Sequence, residues 1–256
     1  MNLISQTRKL LDIKAFEYNQ PEFIKNDPIQ IPHLFTKPED IEISGFLTAT
    51  IAWGQRVTII NNAKKLINLM DNAPHQFICQ FESKDLKRFE HFCHRTFNYD
   101  DTLFFMQALQ QIYSSKQGLK AIFEESYSKN KSIYRCLTDF RMQFLTSEHL
   151  PRSDKHISSV EKGSSAKRLN MFLRWMVRND GRGVDFGIWQ GIPASTLYVP
   201  LDLHTGNVAR KLGLLTRKQN DWPAVEELTN ILRTFDPTDP VKYDFALFGM
   251  GINENR

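Results

Sequence analysis

The sequence predicts an all-helical protein. Apolar residues recur at spacings of three and four along most of the 256 residues, and few stretches alternate apolar and polar at period two. The apolar runs are bounded by residues that start and stop helices, with Ser, Thr or Asp before them and Gly or Pro after them. A chain of this length with 41% hydrophobic residues is long enough to bury a sizeable core.

The elements follow in order. A first helix is expected from about Ile4 to Tyr18, then a loop through Pro21, Pro28 and Pro32, where missing amides and fixed dihedrals discourage regular structure. Pro38 suits a first helical turn. Ile43, Leu47 and Ile51 then stack on one face, and Trp53-Gly54 ends the helix. A second member of the pair runs from Val57 to about Met70. Shorter helical patterns cover 74–80, 84–93, 101–113, 118–126 and 132–145. A helix from 165 to 178 precedes a glycine-rich connection, 179–200. Helices from about Leu203 to Leu212, from Asp221 through Phe235, and from Asp239-Pro240 to Gly249 complete the chain.

Charge is unevenly distributed. The formal net charge is +4, but residues 151–182 carry eight basic side chains against three acids, and residues 219–256 carry seven acids against three basic ones. A local excess of this kind either meets a polyanion or forms a solvated basic face. Three widely spaced cysteines, Cys79, Cys93 and Cys136, make no disulfide framework, and no apolar run resembles a signal peptide or reaches the length of a membrane span. A cytoplasmic protein that does not engage membranes is expected. His75 and Cys79 stand one helical turn apart, but no paired ligand motif accompanies them, so no metal site is expected.

The segment 163–178 concentrates the signal. Leu169, Phe172, Leu173 and Met176 lie on one face of a helix, while Lys167, Arg174 and Arg178 fall within about 40° of one another on the opposite side. The first face is expected in a core and the second toward phosphates. Gly163, Ser164 and Ser165 precede this helix, where backbone amides suit an anion and serines equally suit caps.

Lys167 to Arg174, Asp202 to Leu212 and Asp236 to Gly251 together resemble the helix-hairpin-helix DNA glycosylase superfamily, the endonuclease III and archaeal-type 8-oxoguanine glycosylase-like enzymes. Lys-Gly-Ser-Ser-Ala-Lys-Arg-Leu-Asn-Met-Phe-Leu-Arg, 162–174, looks like the hairpin and its second helix. Asp202-Leu203-His204-Thr205-Gly206-Asn207-Val208-Ala209-Arg210-Lys211-Leu212-Gly213 resembles the family pattern Asp-x-His-x-x-x-Val-x-Arg-x-Leu-Gly, the most specific match in the chain. Residues 43–70 look like the helix pair upstream, with Gln55 at the turn where the family carries a glutamine that enters the DNA stack. The match departs at Ser165, which replaces the second hairpin glycine. It departs again in the 35 residues from Lys167 to Asp202, so 179–200 reads as an insertion. The iron-sulfur cysteine cluster of endonuclease III is missing, and no cofactor is expected.

The resemblance implies a two-lobed fold with a divergent helix-hairpin-helix, one lobe spanning about 40–160 and the other 1–39 plus 161–256, and a cleft holding a flipped nucleotide. It implies a DNA glycosylase with apurinic-site lyase activity, possessing Lys167 as Schiff-base nucleophile and Asp202 as the carboxylate that stabilises charge on the sugar. Double-stranded DNA with a damaged base, an oxidised purine, or an abasic site is the implied partner, and the nucleoid the implied location. Gln55, Arg56, Gly163, Ser164, Ser165, Arg168, Arg174, Arg178 and His204 are the expected DNA contacts, and Trp189, in the connection, is the tryptophan most free to stack on a base. Read from the residues alone, Asp202 is equally an ordinary helix cap and Gln55-Arg56 an ordinary polar turn. The alternative is a non-catalytic nucleic-acid-binding protein that retains the glycosylase fold.

Overall fold

The computed structural model describes residues 3–115 and 118–253. Among them are eleven α-helices joined by short 3-10 turns, with no strand beyond two isolated bridges. No helix among the described residues is long and apolar enough to cross a membrane. The chain divides into two compact units, one of residues 1–25 and 159–256 and one of residues 26–158.

The contiguous unit, 26–158, holds α2 (Pro38–Thr50), α3 (Arg56–Asn68), α4 (Pro74–Gln80), α5 (Tyr99–Ser115), α6 (Leu119–Asn130) and α7 (Ile133–Phe144). Residues 26–39 were expected with the other lobe. They fall in this unit, with 3-10 turns at Pro28–Gln30 and Pro32–Leu34 that pack on α2 and with Pro38 opening α2 itself. Helix α2 is buried on every side from Ile41 to Thr50, which makes it the axis of this unit. Around its Phe46 stand Phe105, Phe140 and Phe144 with ring centroids 5.4–5.8 Å away, in a stacked, an edge-on and a tilted arrangement respectively. Buried Glu42 accepts from the Tyr113 hydroxyl at 2.9 Å, and burial together with that carboxylate pushes the phenol well above its ordinary value. The expected helix at 84–93 is only a 3-10 turn, Asp85–Phe89. Beyond α7, buried Asp101 fastens the turn Pro151–His156 by accepting from Ser153 Oγ at 2.6 Å and Arg152 Nη2 at 3.1 Å.

The other unit is built from α1 (Leu3–Tyr18), α8 (Lys167–Val177), α9 (Leu203–Lys211), α10 (Trp222–Phe235) and α11 (Tyr243–Asn253). Helix α11 is the element the others share: α1 lies along one side of it and α9 along another. Gly249, expected to end this helix, sits inside it. A Cβ there would fall 2.2 Å from Cδ2 of Tyr18, so glycine is what lets α1 approach. The expected helix start at Asp239-Pro240 is a 3-10 turn, Pro240–Lys242. Asp239 makes no cap; its carboxylate accepts from Arg178 Nε at 2.9 Å. Asp236 organises the turn, accepting from the amides of Thr238 and Asp239 and from Lys242 Nζ at 2.6 Å.

Candidate active site around Lys167, Asp202 and Asp244

Lys167 is the first residue of α8, half-buried at the helix N-terminus. Ala166, immediately before it, takes a left-handed conformation with φ 46°, which costs an alanine on the order of 1 kcal/mol. The hairpin before it is tied down by Gly163, whose φ of 81° suits glycine, and whose carbonyl accepts from the Trp222 amide at 3.0 Å. The side chain of Asn170 reaches back to the Ser165 carbonyl at 3.1 Å. Asp202 is the N-cap of α9 and its Oδ1 accepts from the Thr205 amide at 2.9 Å. Its backbone carbonyl accepts from Asn220 Nδ2 at 3.0 Å, so both ends of the residue are fixed.

Lys167 and Asp202 both act electrostatically on a third residue that sequence reasoning missed, Asp244. This carboxyl lies near the start of α11 and is buried. Burial pushes it up, the Arg174 guanidinium pulls it down, Asp202 pushes it up and Lys167 pulls it down, which leaves it raised to about 6. Asp202 and Lys167 thus both lie within electrostatic reach of Asp244, although 35 residues separate them in sequence. Thr205 joins the two carboxylates: its amide donates to Asp202 and its hydroxyl to Asp244 Oδ1 at 3.5 Å.

The basic face of α8 is not a phosphate surface. Arg174 is 4% exposed and Arg178 2% exposed. Arg174 donates through Nε to Asp185 Oδ1 at 3.2 Å and through Nη1 to Asp244, and its guanidinium lies over the Phe245 ring. Arg178 donates to Asp185 at 3.0 Å, Asp239 at 2.9 Å and Asp180 at 2.8 Å. The expectation of DNA contacts at these two arginines is therefore corrected. A buried guanidinium needs carboxylate partners, and four aspartates supply them. The basic excess of 151–182 and the acidic excess of 219–256 partly neutralise each other inside this unit. Pairing of i and i+4 arginines with downstream Asp-rich turns was the available signal.

The hairpin amides also depart from expectation. Gly163 N–H donates to Val160 O at 2.9 Å and Ser164 N–H to Ser159 O at 3.0 Å, so neither points outward for a phosphate. Ser164 Oγ accepts from the Ala166 amide at 3.2 Å, while the half-buried Ser165 gives its carbonyl to Asn170. The connection 179–200 is no peripheral insertion. Its Phe186 and Trp189 amides donate to the carbonyls of Trp175 and Met176, closing the end of α8, and its Asp185 pairs with both buried arginines. Trp189, expected to be free, is 1% exposed and packs edge-on against Phe172 at 5.3 Å.

Other expected contacts keep a different placement. Arg168 is half-buried, and burial draws its guanidinium down to about 10, still protonated at neutral pH. His204 is exposed on α9, on the side that also presents Leu203 and Asn207 to solvent. Gln55 caps α3 through its backbone and is exposed, with half-buried Arg56 following it; both belong to the unit of residues 26–158. No group of three metal-ligating side chains occurs among the described residues. His75 Nδ1 instead faces Lys37 Nζ at 2.8 Å, and Nε2 faces Cys79 Sγ at 3.5 Å.

No curated protein matches the chain. No solved structure matches it either. One family model covers residues 27–253, and the chain belongs to that family, described as protein of unknown function (DUF2400).

Proposed function

We propose that the Lys167, Asp202 and Asp244 cluster is the centre of a DNA glycosylase with apurinic-site lyase activity acting on an oxidised purine. The observation that supports this reading is that Lys167 and Asp202 both act electrostatically on one buried carboxyl, that of Asp244, to which Asp202 is also linked through Thr205. An amine and a carboxylate, each at the first turn of a helix, suit attack at a sugar anomeric carbon. The neutral amine of Lys167 forms a bond to C1′ while the bond to the base breaks, and the base leaves with the electron pair and takes up a proton. The nitrogen then loses a proton and the sugar ring opens to a Schiff base with O4′ as hydroxyl. Removal of a C2′ proton expels the 3′ phosphate and cleaves the strand; water then releases the lysine. Asp202 stabilises positive charge as it develops on the sugar. The target base has to leave the duplex first. Arg168 and His204, with Gln55 and Arg56 in the other unit, are the proposed DNA contacts.

The test is borohydride trapping on duplexes carrying 8-oxoguanine or an abasic site. A covalent adduct with the wild type that disappears in Lys167→Gln is the expected result. Salt-sensitive duplex binding with neither adduct nor base release overturns the catalytic reading in favour of a binding protein.

A further inference from the structure

Asp244 lies in the 236–251 stretch but was not singled out there, and it is the residue on which three elements converge. It stands on α11, accepts from Arg174 Nη1 on α8, and accepts from the Thr205 hydroxyl on α9 at 3.5 Å. Lys167 begins the helix of Arg174, and Asp202 caps the helix of Thr205. Arg174 is itself held by Asp185 from the connection at 3.2 Å and by the face of Phe245 at 4.3 Å, so it has little freedom to yield. Gly251, about two turns further along α11, lets the backbone come so close to His204 that a Cβ would stand 2.9 Å from it. Helix α11 thus grips the first turn of α9 at two points, and Asp244 is the one that also reaches α8.

We infer that Asp244 is a positioning residue, which sets Asp202 through Thr205 and registers it against the Lys167 helix through Arg174. The inference rests on the reading of Lys167 and Asp202 as the reacting pair. The charged groups that face Asp244 are Arg174 and Lys167 from α8, Asp185 from the connection and Asp202 before α9. Burial holds its carboxyl at about 6, so it carries a full charge only above that pH. Ionised, it accepts from Arg174 and Thr205 most strongly, and the alignment of Asp202 is complete. Protonated, it has one fewer acceptor position to offer, and the first turn of α9 is less firmly held.

The experiment compares Asp244→Asn, Thr205→Val and Thr205→Ser with the wild type. Single-turnover base release, duplex affinity and the Asp202 carboxyl resonance in selectively 13C-labelled protein are followed from pH 4.5 to 8. The rate is expected to rise with pH through about 6 in the wild type. Asp244→Asn is expected to lose this step and roughly tenfold to a hundredfold in rate, with duplex affinity unchanged. Thr205→Val should fall in the same direction, and Thr205→Ser should restore most of the rate. In the free wild-type protein the Asp202 resonance should show a step near pH 6 that Asp244→Asn removes. A wild-type rate and pH profile in Asp244→Asn, or an Asp202 resonance with no such step, overturns the inference. If the wild type releases no base, the glycosylase reading fails, and the resonance still decides whether Asp244 acts on Asp202. If Asp244→Asn does not fold, the contrast between valine and serine at 205 decides instead.

Discussion

Arg178 and Asp185 form an ion pair, Nη1 to Oδ2 at 3.0 Å, with 2% and 1% of their side chains exposed. Burial alone would weaken the charge on Arg178, but Asp185, Asp239 and Asp180 together hold its guanidinium above its ordinary value. Removing one partner leaves buried carboxylates without a counter-charge. Arg178→Ala is expected to destabilise the fold by about 3–5 kcal/mol in urea denaturation. The salt dependence of duplex binding is expected to stay as in the wild type, since this arginine meets aspartates and no phosphate.

Asp202 is a cap as well as the proposed catalytic carboxylate, and the two roles separate by substitution. Asparagine caps as well as aspartate, so Asp202→Asn should keep stability within about 0.5 kcal/mol while abolishing base release. Asp202→Ala should lose the activity and about 1 kcal/mol of stability as well. Thermal melts paired with glycosylase assays separate the two effects.

Asp244 makes stability depend on pH. Its carboxyl is raised from 3.8 to about 6, so the folded state holds the proton more tightly than the unfolded one. That contribution is present in full below pH 4 and is lost as pH rises through about 6. The difference in stability between wild type and Asp244→Asn should therefore shift against the wild type across this window, by up to ~3 kcal/mol. Urea midpoints of both proteins at several pH values provide the check. Asp236, held below its usual range because Lys242 and the turn amides outweigh its burial, titrates outside the window and cancels in the comparison.

Gly249→Ala sets helix propensity against packing. Alanine favours a helix over glycine by about 1 kcal/mol. Here the added methyl would meet Cγ, Cδ2 and Cε2 of Tyr18 at 2.2–2.6 Å, near the root of the ring, where a small side-chain rotation gives no relief. Overpacking of this kind costs roughly 1–3 kcal/mol. A net loss is expected, and a lower melting temperature is the readout.

Ala166→Gly should act the other way. The residue is held at φ 46°, and glycine takes that conformation without the steric cost. A gain of about 0.5–1 kcal/mol is expected in urea denaturation, offset in part by the lost burial of one methyl.

Much of the helical framework was legible because it rests on local signals. Pro38 at the start of α2, Asp221 capping α10 with its side chain on the Ala224 amide, and Asp202 doing the same on Thr205 are choices made within a few residues. What was not legible depends on partners distant in sequence. The positions of Arg174 and Arg178 read as a second, solvent-facing side of α8, because periodicity ranks arginine as polar and cannot see Asp185, Asp239 and Asp244 arriving from elsewhere. Trp189 looked free because it lies in the connection, but its amide closes the end of α8 and its ring packs on Phe172 in the same helix. In the candidate site, Lys167 and Asp202 stood out through their surroundings in sequence. Asp244 did not, since its significance lies in burial and in two bonds that span 39 and 70 residues.

The packing of α1 along α11 bears on how the chain is made. Ribosomal synthesis delivers α1 first and α11 last among these helices, with the whole of residues 26–158 emerging between them. The contiguous segment has all its own core in hand and is able to condense while translation continues. Helix α1 has to wait, its contact face uncovered, until Tyr243 and Gly249, which meet its Asp12 and Tyr18, have left the exit tunnel. The site around Lys167 is therefore assembled last, because Asp244 arrives on the same final helix.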